Sequence, residues 1–495
     1  MSFFRKMKCP KEEIMSSKLN LVAAACLVVL LLQGQAKAAI EEHQEISGPF
    51  ETPMAVTEKC LECHEGEAKE VMDTAHWKWE ALQYVEGRGV VRRGKKNTFN
   101  NFCISIAENW PRCTSCHVGY GWKDDSFNFN DESRVDCLSC HDTTGDFNKP
   151  KHAPAGAGMP AGYTGIPKFD KNPVDLVKVA QNAGAPSRRN CITCHANGGG
   201  GNNVKHGDID MSLIDPDADI DIHMAIDGLD FTCQECHATS DHQIKGNNLT
   251  VSPSGQNTEV RCTDCHELEV HAGTGKGDAL NRHTERVACQ TCHIPIFAKK
   301  YATKMSWDWS EAQNPKNLPE DKRKIMKDGS PVYIAKKGRF VYEKNVVPEY
   351  RWFNGSGGAY HAGQKINPDR PTKLAFPLGN IDDGNSKIWP FKLHKGMQVY
   401  DVKNKYLLAP KLFPSGENKE DAYWKSYDWK RAAKAAEESS GLPFSGEYDF
   451  APTELYDPIN HMVASSEKAL SCNDCHGKSG RLDWKALGYD GDPRN

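Results

Sequence analysis

The pentapeptide Cys-x-x-Cys-His recurs eight times along the chain. In order the motifs hold Cys60, Cys63 and His64; Cys113, Cys116 and His117; Cys137, Cys140 and His141; Cys191, Cys194 and His195; Cys233, Cys236 and His237; Cys262, Cys265 and His266; Cys289, Cys292 and His293; and Cys472, Cys475 and His476. Two thiols at this separation add across the two vinyl groups of one haem, and the adjacent histidine then lies under the iron. Zinc sites do not require a histidine after every second cysteine. A disulfide framework has no reason to repeat a two-residue gap. The repeats therefore point to eight covalently attached c-type haems. Only 38% of the 495 residues are hydrophobic, a thin supply for one large core. Eight apolar macrocycles supply the missing surface. The expected architecture is helices and long loops wrapped around stacked haems.

The motifs are unevenly spread. Seven fall within residues 39–300, and the eighth lies near the end of residues 301–495. This second, haem-poor region is expected to pack on the same haem core. It contains Trp307, Trp309, Trp352 and Trp389, and "GRFVYEKNVVPEYRWF" has strand composition. Helices are expected at "GEAKEVMDTAHWKWEALQYV", "NPVDLVKVAQNA" and "EDAYWKSYDWKRAAKAAEES", the last stopped by Gly441. Residues 1–38 contain an apolar run from Leu19 to Leu32 followed by Ala36-Lys37-Ala38. This reads as a cleaved signal peptide, with Met15 a cleaner start, and places the protein in the periplasm. A lipid-bearing Cys26 fits "AAAC" poorly. Removal of the leader takes the formal charge from −4 to −8, which disfavours nucleic acid as a partner.

A haem that only transfers electrons has two axial ligands, whereas a reactive one has a labile side. Eleven histidines lie outside the motifs. Local context favours His76, His206, His223, His242, His271, His283, His394 and His461 as distal ligands. His43 and His152 are poor candidates, and His361 is left open. Of the cysteines after the leader, only Cys103 lies outside a motif; by itself it reads as a small buried residue. Lys178, in the apolar run "VDLVKVA" with Asp175 one turn before it, is either an exposed helical lysine or an amine engaged in a site. Lys205, beside His206, is a second such lysine.

The stretches "NNFCISIAENWPRCTSCHVGYGWKD", "VDCLSCHDTTG", "CHANGGGGNNVKHGD", "VACQTCHIPIFAKKYATKMSWDWS" and "ALSCNDCHG" resemble the octahaem c-type cytochromes of the tetrathionate reductase type, as do the motif order and the long gap before the last motif. The resemblance implies a mainly α-helical exported enzyme with little β structure, distantly akin to multihaem nitrite reductases and hydroxylamine oxidoreductase. It implies a catalytic second haem with a distal lysine, an aspartate and a cysteine, which map to Lys178 (or Lys205), Asp175 and Cys103. The other seven haems would be bis-histidine, so one of the eight favoured histidines would have another role. The Cys-x-x-Cys-Lys motif of many nitrite reductases is absent. The implied activity is reduction of tetrathionate, nitrite or hydroxylamine, fed by a quinol-linked donor. The alternatives are a non-catalytic electron conduit and a hydroxylamine-type oxidase.

Two weaker signals remain. Asp215, Asp217, Asp219 and Asp221 alternate as in a calcium loop, but Ile220 stands where an EF-hand has glycine, so a solvated acidic loop is favoured over a calcium site. Gly198 to Gly201 follow a haem motif and read as close backbone approach to a haem.

Overall fold

A computed structural model describes residues 43–85, 89–105, 109–147, 174–246 and 259–494. The leader, Cys26 and His152 lie outside the described residues. The expected mainly α fold is corrected: among the described residues 24% are helical and 21% are strand, and a ten-stranded mixed sheet dominates the C-terminal half. The physical reason lies in the gap between motifs seven and eight. Without a haem to bury against, this segment builds its own core from aromatic side chains.

The described N-terminal part is a run of short helices: α1 (Pro53–Leu61), α2 (Glu67–Met72), α3 (Ala75–Lys78), α4 (Leu176–Gln181) and α5 (Arg188–His195). The helix expected over residues 66–85 is broken twice. Thr74 caps α3 by accepting from the Trp77 amide, and Trp79 closes it with φ 51°. The chain then enters the hairpin β1 (Ala81–Val85) and β2 (Gly89–Arg93). The reversal at Trp79 turns both Trp77 and Trp79 toward one histidine, His117.

A two-residue ladder, β3 (Thr239–Ser240) with β4 (Gln243–Ile244), precedes the main sheet. Its strands are β5 (Thr303–Asp308), β6 (Lys324–Lys327), β7 (Ser330–Ile334), β8 (Gly338–Glu343), β9 (Glu349–Phe353), β10 (Gly357–Ala359), β11 (Thr372–Pro377), β12 (Lys387–Asp401), β13 (Tyr406–Leu407) and β14 (Tyr448–Pro458). Their order is β10-β11-β14-β12-β5-β8-β7-β6, with β9 and β13 also paired to β12. The fifteen-residue β12 organises the sheet: it runs antiparallel to β14 and parallel to β5. The expected C-terminal helix is split into α6 (Tyr423–Ser426), α7 (Trp429–Lys434) and α8 (Glu437–Ser440). Tyr427 at φ 55° breaks it, which lets Tyr423 stack on Trp429 with ring centres 3.8 Å apart. Trp307 and Trp309 stack at 4.5 Å in the same apolar cluster. No helix among the described residues is long and apolar enough to cross a membrane.

The turn "NNFC" is anchored on this sheet. The Asn101 amide donates to the His394 carbonyl at 2.9 Å, and its oxygen accepts from Gln398 at 2.6 Å and Thr453 at 2.7 Å. A methyl group on Gly396 would lie 2.5 Å from both Asn101 Oδ1 and Thr453 Oγ1, so β12 must carry glycine there. Asn101→Ala strands buried donors and an acceptor and should destabilise the haem-loaded protein by about 2–3 kcal/mol. Guanidinium denaturation followed by circular dichroism checks this; an unchanged midpoint would show that the anchor contributes little.

Candidate redox centres and the Cys103 pocket

Among the described residues, seven motif histidines face a second imidazole. The pairs are His64 with His43, His195 with His76, His141 with His242, His266 with His223, His237 with His461, His293 with His271 and His476 with His283, their ring centres 6.0–6.4 Å apart. Two imidazoles bound to one metal through bonds of about 2.0–2.1 Å place their ring centres roughly 6.2–6.4 Å apart. The spacing fits a haem iron between each pair.

Eight of these fourteen rings are held by Nδ1. His43 donates to the Ala183 carbonyl, His141 to Gly184, His237 to Lys245 and His283 to Ala279, while His271 donates to the Asn281 side chain. His242, His461 and His476 donate to Glu70, Asp208 and Asp492. With Nδ1 committed, Nε2 is left to serve as the ligand.

The attachment cysteines link the sites into a run. Cys60 lies beside Cys137, Cys191 beside Cys233, and Cys262 beside Cys289, which brings together motifs one and three, four and five, and six and seven. Cys140 is near Cys191, Cys236 near Cys265 and Cys292 near Cys475, which brings together the remaining steps. The run is therefore one, three, four, five, six, seven, eight.

Motif two stands beside this run. His117 is buried in a box of Trp77, Trp79, Trp122, Phe127 and Phe129, and its Nε2 donates to the Trp77 carbonyl at 2.7 Å. As an axial ligand through Nε2, it must give up that carbonyl. His76, the neighbour of Trp77, faces the motif-four histidine, so the box borders site four. Cys113 and Cys137 pack on the same apolar cluster, and the buried Tyr120 hydroxyl donates to Asp136 at 2.6 Å. These contacts tie motif two to motif three.

Cys103 lies in the anchored turn with φ 123°, and Ile104 follows with φ 75°. Both are costly for residues with a side chain, about 1–3 kcal/mol each. The nearby cation is Lys304 on β5. An extra residue between Lys304 and Ser306 bulges the strand, so Lys304 and Trp307 share a face. The Lys304 ammonium lies 3.9 Å from the Trp307 ring centre and 4.4 Å from that of Phe340. Burial pushes its pKa down to about 7, against the opposing influence of Cys103. On β12, Lys392 donates to the Val204 and Lys205 carbonyls and to Thr303 Oγ1 at 2.7–2.9 Å. Burial lowers the Lys205 pKa and raises that of Asp457, whose charge Lys205 and Lys392 favour.

The site residues expected from sequence separate into groups. Six favoured distal histidines (His76, His223, His242, His271, His283 and His461) face motif imidazoles. His206 instead stands 4.0 Å from Asp457, and His394 is buried on β12 with its ring against Phe102. His43, set aside on sequence, faces His64. Asp175 is the N-cap of α4 and accepts from the Lys178 amide. Lys178 turns outward: its ammonium lies 2.6 Å from Asp146, a hydrogen bond that raises its pKa. Lys205, by contrast, enters the buried cluster near Asp457 and Lys392. In the acidic loop, Asp217 accepts from the amides of Asp219 and Ile220, Asp219 pairs with Lys468, and Asp221 accepts from the amides of His223, Met224 and Val463. Lys304, Lys392 and Asp457 were not singled out by sequence. The Lys304–Trp307 spacing was a signal, but only the bulge makes them neighbours.

A lysine with a folded pKa near 7 and an unfolded value near 10.5 binds fewer protons when folded between those limits. Stability therefore rises with pH across that window, and the penalty is fully present below about pH 7. Lys304→Met should remove this dependence. Thermal midpoints of the two proteins should converge as pH rises from 7 to 10; parallel curves would contradict a buried, depressed Lys304.

The comparisons with known proteins find c-type cytochromes. Residues 59–142 match the family described as cytochrome c554 and c-prime, and residues 304–479 match the bacterial cytochrome c family. An uncharacterised protein of Archaeoglobus fulgidus is 25% identical over 248 residues, covering 41% of this chain and 80% of its own. The crystal structure of octaheme cytochrome c from Shewanella oneidensis superposes with a TM-score of 0.81 at 48% identity, covering 91% of this chain and 97% of that one. Identity at that level over nearly the whole of both chains shows that this protein belongs to the octahaem cytochrome c family.

Proposed function

We propose that the chain is a periplasmic respiratory reductase of small sulfur or nitrogen compounds, with eight covalent haems. Seven bis-histidine sites carry electrons from a quinol-linked donor to the region of motif two. The observation that carries this reading is the setting of His117, which sits in an aromatic box with the Nε2 that would face an iron donating to the Trp77 carbonyl.

When bound, the haems supply single-electron transfer. The chain's own residues supply the chemistry at Cys103. Lys304 as an ammonium favours the Cys103 thiolate, and the buried cations Lys304, Lys392 and Lys205 favour an anionic substrate. With tetrathionate, the thiolate attacks a central sulfur, one thiosulfate leaves, and a mixed disulfide remains on Cys103. Two electrons then cleave that disulfide, releasing the second thiosulfate and restoring the thiolate. Lys178, on Asp146, has no part in this step.

Cys103→Ser should leave all eight haems attached, while turnover of tetrathionate falls by about tenfold or more. Turnover at the unsubstituted rate would remove Cys103 from the reaction. Electron paramagnetic resonance of the oxidised protein should show seven bis-histidine centres and one different centre. Eight uniform bis-histidine signals would favour a conduit. Turnover of hydroxylamine in the oxidative direction only would favour an oxidase.

A further inference from the structure

The anchored imidazoles differ in the charge of what anchors them. Five donate Nδ1 to a neutral oxygen: His43, His141, His237 and His283 to backbone carbonyls, and His271 to Asn281. Three donate to a carboxylate: His242 to Glu70 at 2.8 Å, His461 to Asp208 at 3.1 Å and His476 to Asp492 at 2.6 Å. These carboxylates are oriented by further bonds. Asp208 also accepts from the amides of Asn460 and His461 at 2.8 and 2.9 Å, and Asp492 from those of Gly477 and Arg494 at 2.5 and 3.0 Å. Asp221 does not act on His223 in this way, because 3.9 Å is beyond hydrogen-bond reach.

The three carboxylates fall on three different sites, numbered by motif. At site three His141 has a carbonyl and His242 the carboxylate. At site five His237 has a carbonyl and His461 the carboxylate. At site eight His283 has a carbonyl and His476 the carboxylate. A carboxylate on Nδ1–H draws the proton toward itself and leaves the ring with imidazolate character. The other nitrogen becomes a stronger donor and stabilises ferric over ferrous iron. A neutral carbonyl does this more weakly.

We propose that Glu70, Asp208 and Asp492 are positioning residues that make sites three, five and eight the low-potential members of the run. On the order one, three, four, five, six, seven, eight, the low sites three and five each stand between higher ones, sites six and seven are adjacent higher ones, and the low site eight stands at the end. This rests on the reading of seven bis-histidine haems, but not on any substrate.

The test uses full-length, haem-loaded protein, with haem content measured first. Spectropotentiometric titration then follows Asp492→Asn, Asp492→Glu and Glu70→Gln. Asp492→Asn should move one midpoint to a more positive potential, with one bis-histidine resonance shifting toward the neutral-imidazole position. Asp492→Glu should return both toward the unsubstituted values. Glu70→Gln should shift a different single centre in the same direction, so the proposal remains testable if either variant fails to fold. Midpoints indistinguishable from the parent in the variants that load eight haems would overturn the proposal, as would equal shifts for the Asn and Glu variants at position 492. Fewer than eight haems in the unsubstituted protein would overturn the ligation reading itself, and the proposal with it.

Discussion

Fourteen histidine rings, set two by two with centres 6.0–6.4 Å apart, leave the backbone between them little freedom. Each ring must present Nε2 to the same point as its partner. A hydrogen bond at Nδ1 fixes rotation about the side chain and selects the tautomer. The anchors come from distant segments: Ala183 for His43, Glu70 for His242 and Asp208 for His461. These segments are held by the imidazoles as much as the imidazoles by the segments. This explains how short helices with small apolar faces maintain a defined fold.

The sheet solves a different problem. It has its own aromatic core and does not depend on macrocycles for burial. Its strand β5 brings Lys304 near Cys103, while β12 and β14 bring Lys392 and Asp457 together beside Lys205. Asn101 and Asn109 clamp the segment upstream of motif two to β12, β14 and the loop at Pro410 and Leu412. A protein whose haem motifs lie on short helices and turns thus receives a stiff wall at the turn that carries Cys103.

The attachment motifs were legible because their chemistry is local: two thiols and a histidine in five residues. Facing histidines are not local. His206 in "VKHGD" looked a better ligand than His43, yet a ligand is chosen by what the fold brings opposite the motif. Lys178 illustrates the same limit, since its apolar neighbours Leu176 and Val179 pack inward while its ammonium reaches Asp146. The sheet was only partly visible. "GRFVYEKNVVPEYRWF" carried strand composition, but polar residues such as Lys392, His394 and Gln398 interrupt the apolar pattern of β12, and all three are buried. The bulge at Lys304 hid the β5 pattern in the same way.

The facing pairs also differ in how far apart their members stand along the chain. His43 precedes His64 and His271 precedes His293 by short intervals, so those sites are complete soon after their motifs emerge. His237 is completed by His461, and the His476 site by a residue almost two hundred positions earlier. A haem joined to Cys233 and Cys236 and held between His237 and His461 would therefore stay one ligand short until the sheet has folded. Assembly acquires an order: the N-terminal cofactors are sealed first, and the last strands act as the closure that finishes the centre of the wire.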